Sequence, residues 1–381
     1  MRICRSWKPI HRIALVVGSV ALLALAAAPQ ISLAHAEPAP GFYIQTNLVS
    51  NIPGLAKVTD RRLLNPWGIV SSATSPFWIS DNNAGVSTLY TGAGTPFPPP
   101  PAGPLVVNIP ASVSSGEGAA GVPTGVVFNG SGDFVVSAAG KSGAAAFIFA
   151  TEDGTISGWN PTVDRNNAIR VVDNGPGAVY KGLANASAES GARLFAANFR
   201  AGTVDVFNGH FQQITAPGGF RDERIPSGFA PFGIRVIGDK VFVTYAKQNE
   251  AKHDDVAGPG NGFVDVFTTS GWLVKRLVSH GALNSPWGLA LAPTNFGRFS
   301  NALLVGNFGD GHISAYNAHS GAFLGQISGA TEAPIVIDGL WGLSFGNGAT
   351  AGPTTTLFFT AGINGEADGL FGSLTSSVLN K

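Results

Sequence analysis

Short runs of alternating apolar and polar residues recur from residue 42 to residue 374, and Gly-rich turns separate them. A period of two is typical of β-strands whose two faces meet different surroundings. The runs come in groups of up to four, and each group opens with a similar phrase, as in LLNPWGI at 63–69 and LNSPWGL at 283–289. This pattern predicts a chain of repeated units, each made of short strands.

A shared glycine marks the first strand of every unit. The six phrases are NPWGIV at 65–70, VPTGVVF at 122–128, VYKGLA at 179–184, APFGIRV at 230–236, SPWGLAL at 285–291 and GLWGLSF at 339–345. The shared glycines are separated by 57, 57, 51, 55 and 54 residues. Six even units of four short strands predict an all-β fold, a six-bladed β-propeller with four antiparallel strands in each blade.

The other strands of each unit follow at similar spacing. The second strands are expected in FWIS, DFVVSA, RLFAAN, KVFVTY, ALLVGN and TLFFTA, and the third in VSTLYT, AAFIFAT, TVDVFN, FVDVFTT, HISAYN and GLFGSL. The fourth are expected in LVVNIP, TISGWN, FQQIT, LVKRLVS and FLGQIS. The sixth unit lacks a fourth strand, so we expect residues 42–50 to complete it and close the ring. The predicted propeller occupies residues 37–381, with blades starting near 63, 121, 178, 229, 283 and 337.

Residues 1–36 have the pattern of a secretory signal peptide. Four basic residues and no acidic ones precede an apolar run, and Ala34-His35-Ala36 supplies the small residues that a signal peptidase reads. The alternative is a retained N-terminal membrane anchor. We expect cleavage after Ala36, export to the periplasm or beyond, and no membrane anchor in the remaining chain.

The composition after residue 36 agrees with an exported domain. The single Cys and the single Met both lie in the leader, so the remaining chain has neither a thiol nor a disulfide. It holds 19 basic and 23 acidic residues, without the clustered Lys and Arg of a nucleic-acid-binding face. Glycine is abundant, at 51 of 381 residues, which favours a turn-rich β-fold. We expect a monomer that does not bind nucleic acid.

Four segments carry resemblances to known families. The third strands contain G-x-V-D-V-F at 202–207 and 262–267, a pattern similar to NHL-type propellers. FIFATEDGTISGWNP at 147–161 and LFFTAGINGEADGLFGSL at 357–374 resemble an uncharacterised family of exported bacterial propeller proteins. The resemblance implies the fold and the export, and it supplies no catalytic residues.

The residue before the shared glycine is aromatic in four units, and two interpretations remain open. These side chains could pack between the inner strands, or they could form a platform for a flat ligand such as a sugar. Thr124 and Lys181 interrupt the series and indicate an asymmetric opening near the axis. The proposed packing residues are Trp67, Phe232, Trp287 and Trp341.

Polar loops predict the functional face. The loops between the second and third strands of each blade share a face with the start of the inner strands, and blade four adds a long insert at 246–262. The loops are expected at 80–85, 138–143, 197–202, 306–311 and 363–369. The binding-face candidates are Asp81, Asn82, Asn83, Asn198, Arg200, Asn307, Asp310, His312, Asn364 and Glu366.

Four of these candidates could form a calcium site at the axis. Asp81, Asn198, Asn307 and Glu366 offer side-chain oxygens from different blades, which suits the six to eight oxygen ligands of Ca²⁺. The alternative is turn chemistry, because Asn, Asp and Gly are the residues that tight loops require. The sequence His253-Asp254-Asp255 in the insert could likewise ligate a metal, act as a base or form a solvated surface.

Two functions remain open at this level. A binding or scaffold propeller would present its loop-rich face to a protein, peptide or glycan, and the absence of catalytic sequence motifs favours it. A metal-assisted hydrolase or lyase, similar to lactonases, would hold its ion at the mouth of the axial channel. Convergence of the four calcium candidates on one point would favour the enzyme, and side chains that cap their own turns would favour the binder.

Overall fold

The computed structural model describes residues 41–188 and 191–378, and the predicted signal peptide lies outside them. The chain is a six-bladed β-propeller, as the repeated pattern predicted. Its first strands, β1 (Gly41–Ser50) and β2 (Val58–Thr59), belong to the last blade. Blade one contains β3 (Pro66–Val70), β4 (Phe77–Asp81), β5 (Val86–Tyr90) and β6 (Val106–Asn108).

Blades two to four continue in chain order. Blade two contains β7 (Pro123–Phe128), β10 (Phe147–Thr151), β11 (Thr155–Trp159) and β12 (Ile169–Asp173), and β8 (Val135–Ala138) pairs with β9 (Lys141–Ala144) as a separate hairpin. Blade three contains β13 (Tyr180–Ala188), β14 (Gly191–Asn198), β15 (Thr203–Asn208) and β16 (Gln213–Ile214). Blade four contains β17 (Phe229–Ile237), β18 (Lys240–Lys247), β19 (Phe263–Thr268) and β20 (Leu273–Ser279).

The last two blades complete the ring. Blade five contains β21 (Pro286–Leu291), β22 (Ala302–Asn307), β23 (Ile313–Asn317) and β24 (Phe323–Gln326). Blade six contains β25 (Leu340–Phe345), β26 (Thr356–Ala361) and β27 (Leu370–Val378). Single-turn 3₁₀ helices occupy Asn82–Ala84, Val113–Ser115, Gly175–Gly177 and Gly297–Phe299. Within residues 41–188 and 191–378, no helix is long and apolar enough to cross a bilayer.

The N-terminal strand closes the ring. Strand β1 pairs antiparallel with β27 from Gly41 opposite Val378 to Ser50 opposite Leu370. Strand β2 then pairs parallel with β1 at the outer edge, so the sheet of blade six has the order β2-β1-β27-β26-β25. Strands from the two ends of the described chain therefore share one sheet, and their pairing closes the ring.

The shared glycines allow neighbouring inner strands to approach closely. A methyl group on any of them would lie 2.1–2.9 Å from a backbone atom of the next blade, a distance at which atoms overlap. Gly342 faces the carbonyl of Trp67, so the contact also joins the last blade to the first. The facing pairs are Gly68 and Thr124, Gly125 and Leu183, Gly182 and Phe232, Gly233 and Trp287, Gly288 and Trp341, and Gly342 and Trp67.

Apolar side chains from adjacent blades form the core between the sheets. Phe77 of blade one, for example, lies 4.7 Å from Phe358 and 5.8 Å from Phe371 of blade six, measured between ring centroids. All three rings are fully buried. Such pairs stabilise the interface between blades beyond the area they bury, by about 0.5–1.5 kcal/mol each.

Blade two corrects the predicted strand assignment. DFVVSA at 133–138 was expected as its second strand, but β8 forms the separate hairpin with β9 instead. FIFAT at 147–151 is the second strand, and TISGW at 155–159 is the third. The loop at 138–143 therefore does not join the second and third strands, and the Glu152-Asp153-Gly154 turn takes that place. The extra hairpin has the same alternating pattern as a blade strand, so local sequence could not distinguish the two.

Candidate functional site

An aromatic layer fills the axis where the inner strands begin. The rings of Trp67 and Trp341 stack with centroids 3.5 Å apart, and Trp287 meets both edge-on at 6.1 and 5.7 Å. Phe308 stacks on Trp341 at 4.0 Å, and Phe232 lies 5.8 Å from Trp341. Trp67, Phe232 and Trp341 are buried, while Trp287 keeps some exposed surface. These five rings, called the aromatic layer below, therefore pack mainly against one another and do not form an open platform for a ligand.

Lys181 stands where four blades carry an aromatic residue. Its side chain is only 3% exposed, and its ammonium lies 5.0 Å from the ring centroid of Trp67. Trp287 donates a hydrogen bond from Nε1 to the Lys181 carbonyl at 2.9 Å, which fixes the strand against the aromatic layer. A cation over the face of an indole is attracted to its π-electrons, and more strongly where water is excluded. The aromatic layer thus holds one positive charge at the mouth of the axis.

Acidic residues from three blades surround this ammonium. The Lys181 Nζ forms an ion pair with Glu152 and lies 3.6 Å from Oδ1 of Asp254. His253 Nδ1 is 2.7 Å from the same Asp254 oxygen. Potential ligand atoms of Glu152, His253 and Asp254 all lie within 4.8 Å of one another. We call the following residues the charge cluster: Glu152, Lys181, His253, Asp254, Asp255 and Glu366.

The strand order of blade two brings Glu152 to the axis. Glu152 follows β10, and its backbone N–H donates to the Val122 carbonyl at 3.0 Å. Asn82, in the equivalent loop of blade one, donates from Nδ2 to the second Glu152 carboxylate oxygen at 2.8 Å. The carboxylate therefore contacts an amide from blade one and an ammonium from blade three.

Asn249 organises the insert of blade four that carries His253 and Asp254. Its backbone N–H donates to the Asp254 carbonyl at 2.8 Å, and its side-chain oxygen accepts from the His253 N–H at 3.1 Å. Gln248 donates to the Phe199 carbonyl of blade three, which holds the base of the insert against the neighbouring blade. The insert is therefore a folded loop whose turn directs His253 and Asp254 toward Lys181.

Glu366 reaches the charge cluster from a turn with left-handed backbone. Asn364, Gly365 and Glu366 have φ of 57°, 63° and 68°, and a left-handed glutamate is uncommon because its Cβ meets the following carbonyl. Asn83 donates from Nδ2 to the Glu366 carbonyl at 2.7 Å and thereby fixes the turn. Gly or Asn would adopt this conformation with less strain, so the glutamate is present at an energetic cost.

The charge cluster carries more negative than positive charge. Burial and then the Glu152 carboxylate raise the pKa of Glu366 to about 7, against the opposite effect of Lys181. Burial also raises the pKa of Asp255, whereas the hydrogen bond with His253 lowers the pKa of Asp254 to about 2, with help from Lys181. Four carboxylates share one ammonium, and Glu366 is the one whose pKa lies near neutral.

Three of the four residues expected to bind calcium make side-chain hydrogen bonds within their own blades, although Oδ1 of Asp81 and Oδ1 of Asn307 are buried without a hydrogen-bond partner among the described residues. Asp81 is fully buried and accepts from Thr88 at 2.7 Å, and burial raises its pKa well above the usual value. Asn198 donates to Asp205 at 3.0 Å and accepts from the backbone N–H of Val179. Asn307 donates from Nδ2 to the Asp310 carboxylate and to the Ala282 carbonyl. Only Glu366 of the four belongs to the charge cluster.

The other candidates divide between the charge cluster and local turns. Asn82 and Asn83 contact the charge cluster, as described above. Arg200 accepts a hydrogen bond at its carbonyl from Gln248, at the base of the insert. His312 lies 3.3 Å from its neighbour Asp310, and Asn364 caps its own turn through Asp368 at 2.9 Å.

Glu152 was not among the residues predicted for the site, and the insert of blade four was not predicted to be its centre. Glu152 was placed between a third and a fourth strand because of the incorrect assignment in blade two. An isolated His253-Asp254-Asp255 sequence fits a solvated surface as well as a site, so the sequence alone does not distinguish the two. Lys181 gave the one usable signal, as a charged residue at a position that is aromatic elsewhere.

The fold and the site together define a six-bladed propeller with a charged axial mouth. The chain is 31% identical over 338 residues to uncharacterized protein R648 of Acanthamoeba polyphaga mimivirus, across 86% of this chain and 78% of that protein. It is 32% identical over 338 residues to uncharacterized protein L690 of the same virus, across 86% and 84% of the two proteins. The chain belongs to the family of these mimivirus proteins.

No protein-family model matches the sequence. Among solved structures, a structural genomics protein of unknown function from Bacteroides thetaiotaomicron is similar in fold, with a TM-score of 0.51. It is 9% identical, over 89% of this chain and 77% of that chain, which concerns the fold alone.

Proposed function

We propose that the chain is a binding propeller whose charge cluster receives a basic side chain of a protein or peptide partner. The observation that carries this proposal is the excess of carboxylates around Lys181. A second cation would bring the four carboxylates and one ammonium closer to balance. A neutral glycan would not, because it offers no positive charge to the carboxylates.

The positions of the charged groups also support a binding site. Asp254 is 62% exposed at its side chain, so an incoming cation can reach it from solvent. The side chains of Glu152 and Lys181 are only 12% and 3% exposed, so these two charges are fixed below the surface that Asp254 presents to solvent. Backbone strain such as that at Glu366 is also typical of functional sites, because it can place a side chain where the site needs it at a cost in stability.

Binding of a cation should release protons near neutral pH. Glu366, with a pKa of about 7, is about half protonated there, and a nearby positive charge favours its ionised form. Calorimetry in buffers of different ionisation enthalpy measures this release directly. The probes are Gly-Lys-Gly and Gly-Arg-Gly, with Gly-norleucine-Gly as the uncharged control.

We expect the basic peptides to bind with proton release and the norleucine peptide not to bind. Glu366→Gln should abolish the release, and Asp254→Asn should weaken binding by about tenfold, as for a lost charge-assisted contact. Asp164→Asn, at an exposed turn away from the charge cluster, is the matched control and should change neither. Equal binding of charged and uncharged peptides would refute the proposal.

A metal-assisted hydrolase or lyase is the second candidate. Glu152, His253 and Asp254 are close enough to share one ion, and an imidazole ligand suits Zn²⁺ better than Ca²⁺. Lys181 opposes this use, because its ammonium pairs with two of the three ligands. An ion bound only to the folded state would raise the melting midpoint. A midpoint that falls with chelator and recovers with Zn²⁺ or Ca²⁺ would favour the enzyme, and an unchanged midpoint the binder.

The site of action is proposed to be outside the cytoplasm. The signal-like pattern of residues 1–36 and the lack of Cys beyond it support this location. Fractionation of cells that express the full chain, with N-terminal sequencing of the product, tests it. A product that begins at Glu37 in the exported fraction is expected, and an uncleaved chain in the cytoplasm would contradict it.

A further inference from the structure

A cavity of about 290 Å³ lies on the axis beyond the aromatic layer. All six inner strands line it, from the shared glycines onward, and Trp287 contributes from the aromatic layer. Its lining combines apolar side chains, among them Ile69, Leu289 and Leu343, with polar surface that includes Ser71 and Asn185. Because the charge cluster surrounds the start of the inner strands, this cavity belongs to the other half of the axis.

Arg235 is the charged residue of this cavity, and no carboxylate lines it within the part of the chain that the structure describes. Its Nη1 donates to the carbonyl of Leu343 at 2.7 Å. The hydrogen bond therefore joins blade four to blade six, which are not adjacent in the ring. The guanidinium has five N–H donors, and the described residues give it no ion pair and no other hydrogen bond. Burial lowers the pKa of Arg235, as expected for a cation without a counter-charge.

The repeat shows that the fold does not require arginine at this position. Arg235 is the second residue after the shared glycine of its blade. The equivalent residues of the other blades are Val70, Val127, Ala184, Ala290 and Ser344. An aliphatic or small side chain is therefore sufficient for the inner strand, and the partly buried arginine has a desolvation cost that packing alone does not explain.

We propose that the axial cavity is a binding site for a small carboxylate with an apolar body, held by the Arg235 guanidinium. The planar guanidinium can bind both oxygens of a carboxylate through paired N–H donors. Ile69, Leu289 and Leu343 then cover the apolar part of the ligand. An inorganic oxyanion would satisfy the charge but would leave these three apolar side chains without a partner.

The test uses 4-fluorobenzoate as the probe and 4-fluorobenzamide as its uncharged equivalent. ¹⁹F NMR of each probe with the intact protein reports binding directly. We expect fluorobenzoate to bind with a Kd on the order of 1 mM or tighter, as a fragment of this size allows, and fluorobenzamide at least about tenfold more weakly. Equal binding of the two probes would overturn the assignment to a carboxylate.

Two variants and a control locate the site. Arg235→Gln should weaken fluorobenzoate binding about tenfold or more, while Arg165→Gln, at an exposed loop of blade two, should leave it unchanged. Ser71→Trp keeps the guanidinium and fills the cavity beside it, so it should also prevent binding. Melting curves identify any variant that fails to fold. Unchanged binding in folded Arg235→Gln or Ser71→Trp, or no binding to the wild type at several times the expected Kd, would overturn the proposal.

Discussion

Single charged residues at repeated apolar positions define both ends of the axis. Lys181 replaces an aromatic residue before the shared glycine, and Arg235 replaces a small or aliphatic residue after it. The first substitution was visible in the sequence as an interruption of the aromatic series. The carboxylates around Lys181 were not, because they come from loops whose mutual distances depend on the closed ring. In a repeat protein, a residue that differs in chemistry from the equivalent residues of the other repeats is therefore a candidate site residue.

The strained glutamate should make stability depend on pH. The pKa of Glu366 is raised from 4.5 to about 7, so its protonated form stabilises the fold fully below pH 4.5, and this stabilisation is lost as pH rises through 7. Glu366→Gln should therefore gain about 1–2 kcal/mol over the wild type at pH 8, a value reduced for remaining solvent contact, and little at pH 4.

Chemical denaturation at the two pH values measures this difference. Glu332→Gln is the matched control, because Glu332 is also a left-handed glutamate, with φ of 63°, but lies exposed between blades five and six. It should show no pH-dependent gain. A gain of the same size at pH 4 and pH 8 for Glu366→Gln would contradict the assigned pKa.

The strands of the blades were easier to predict from the sequence than the loops that carry most of the charge cluster. Five of the six blades have their inner, second and third strands where the hydrophobic pattern predicted them, because alternation and turn residues are local signals. Blade two differs, since its extra hairpin has the same alternation and its position depends on tertiary contacts. That error moved Glu152 away from the predicted face. The insert of blade four was equally hard to place, because its fold depends on contacts with blade three.

Asn249 provides a test of the insert as a folded element. Asn249→Ala removes the acceptor for the His253 N–H and should loosen the turn that positions Asp254. We expect basic-peptide binding to weaken several-fold with little change in the global melting midpoint, because the insert is largely exposed and contributes little to the core.

Asn208→Ala is the matched control for the insert. Asn208 accepts from the backbone N–H of His210 at 2.9 Å in an equivalent side-chain-to-backbone bond, in a turn of blade three. It should leave peptide binding unchanged. If both variants bind the basic peptides as the wild type does, the turn at Asn249 has no part in the site.

The ring as a whole depends on six close contacts between inner strands. Gly342→Ala would place a methyl group 2.5 Å from the Trp67 carbonyl and should destabilise the closed ring by about 3 kcal/mol or more, since backbone must move on both sides. Gly132→Ala, where nothing lies within 4 Å, is the control and should be nearly neutral. Thermal unfolding measures the melting midpoint of each variant. Similar midpoints would show that the backbone between blades one and six can move enough to accept the added methyl group.

The pairing of β1 with β27 has a consequence for the order of assembly. During synthesis, the strand at residues 41–50 emerges more than three hundred residues before its partner at 370–378. Contacts between such distant segments form slowly, because a long loop must close before they are made. Five blades can form their sheets from consecutive segments, but the sixth must wait for the last strand. If synthesis stops before residues 370–378 are made, the ring therefore stays open and the strand at residues 41–50 has no β27 to pair with.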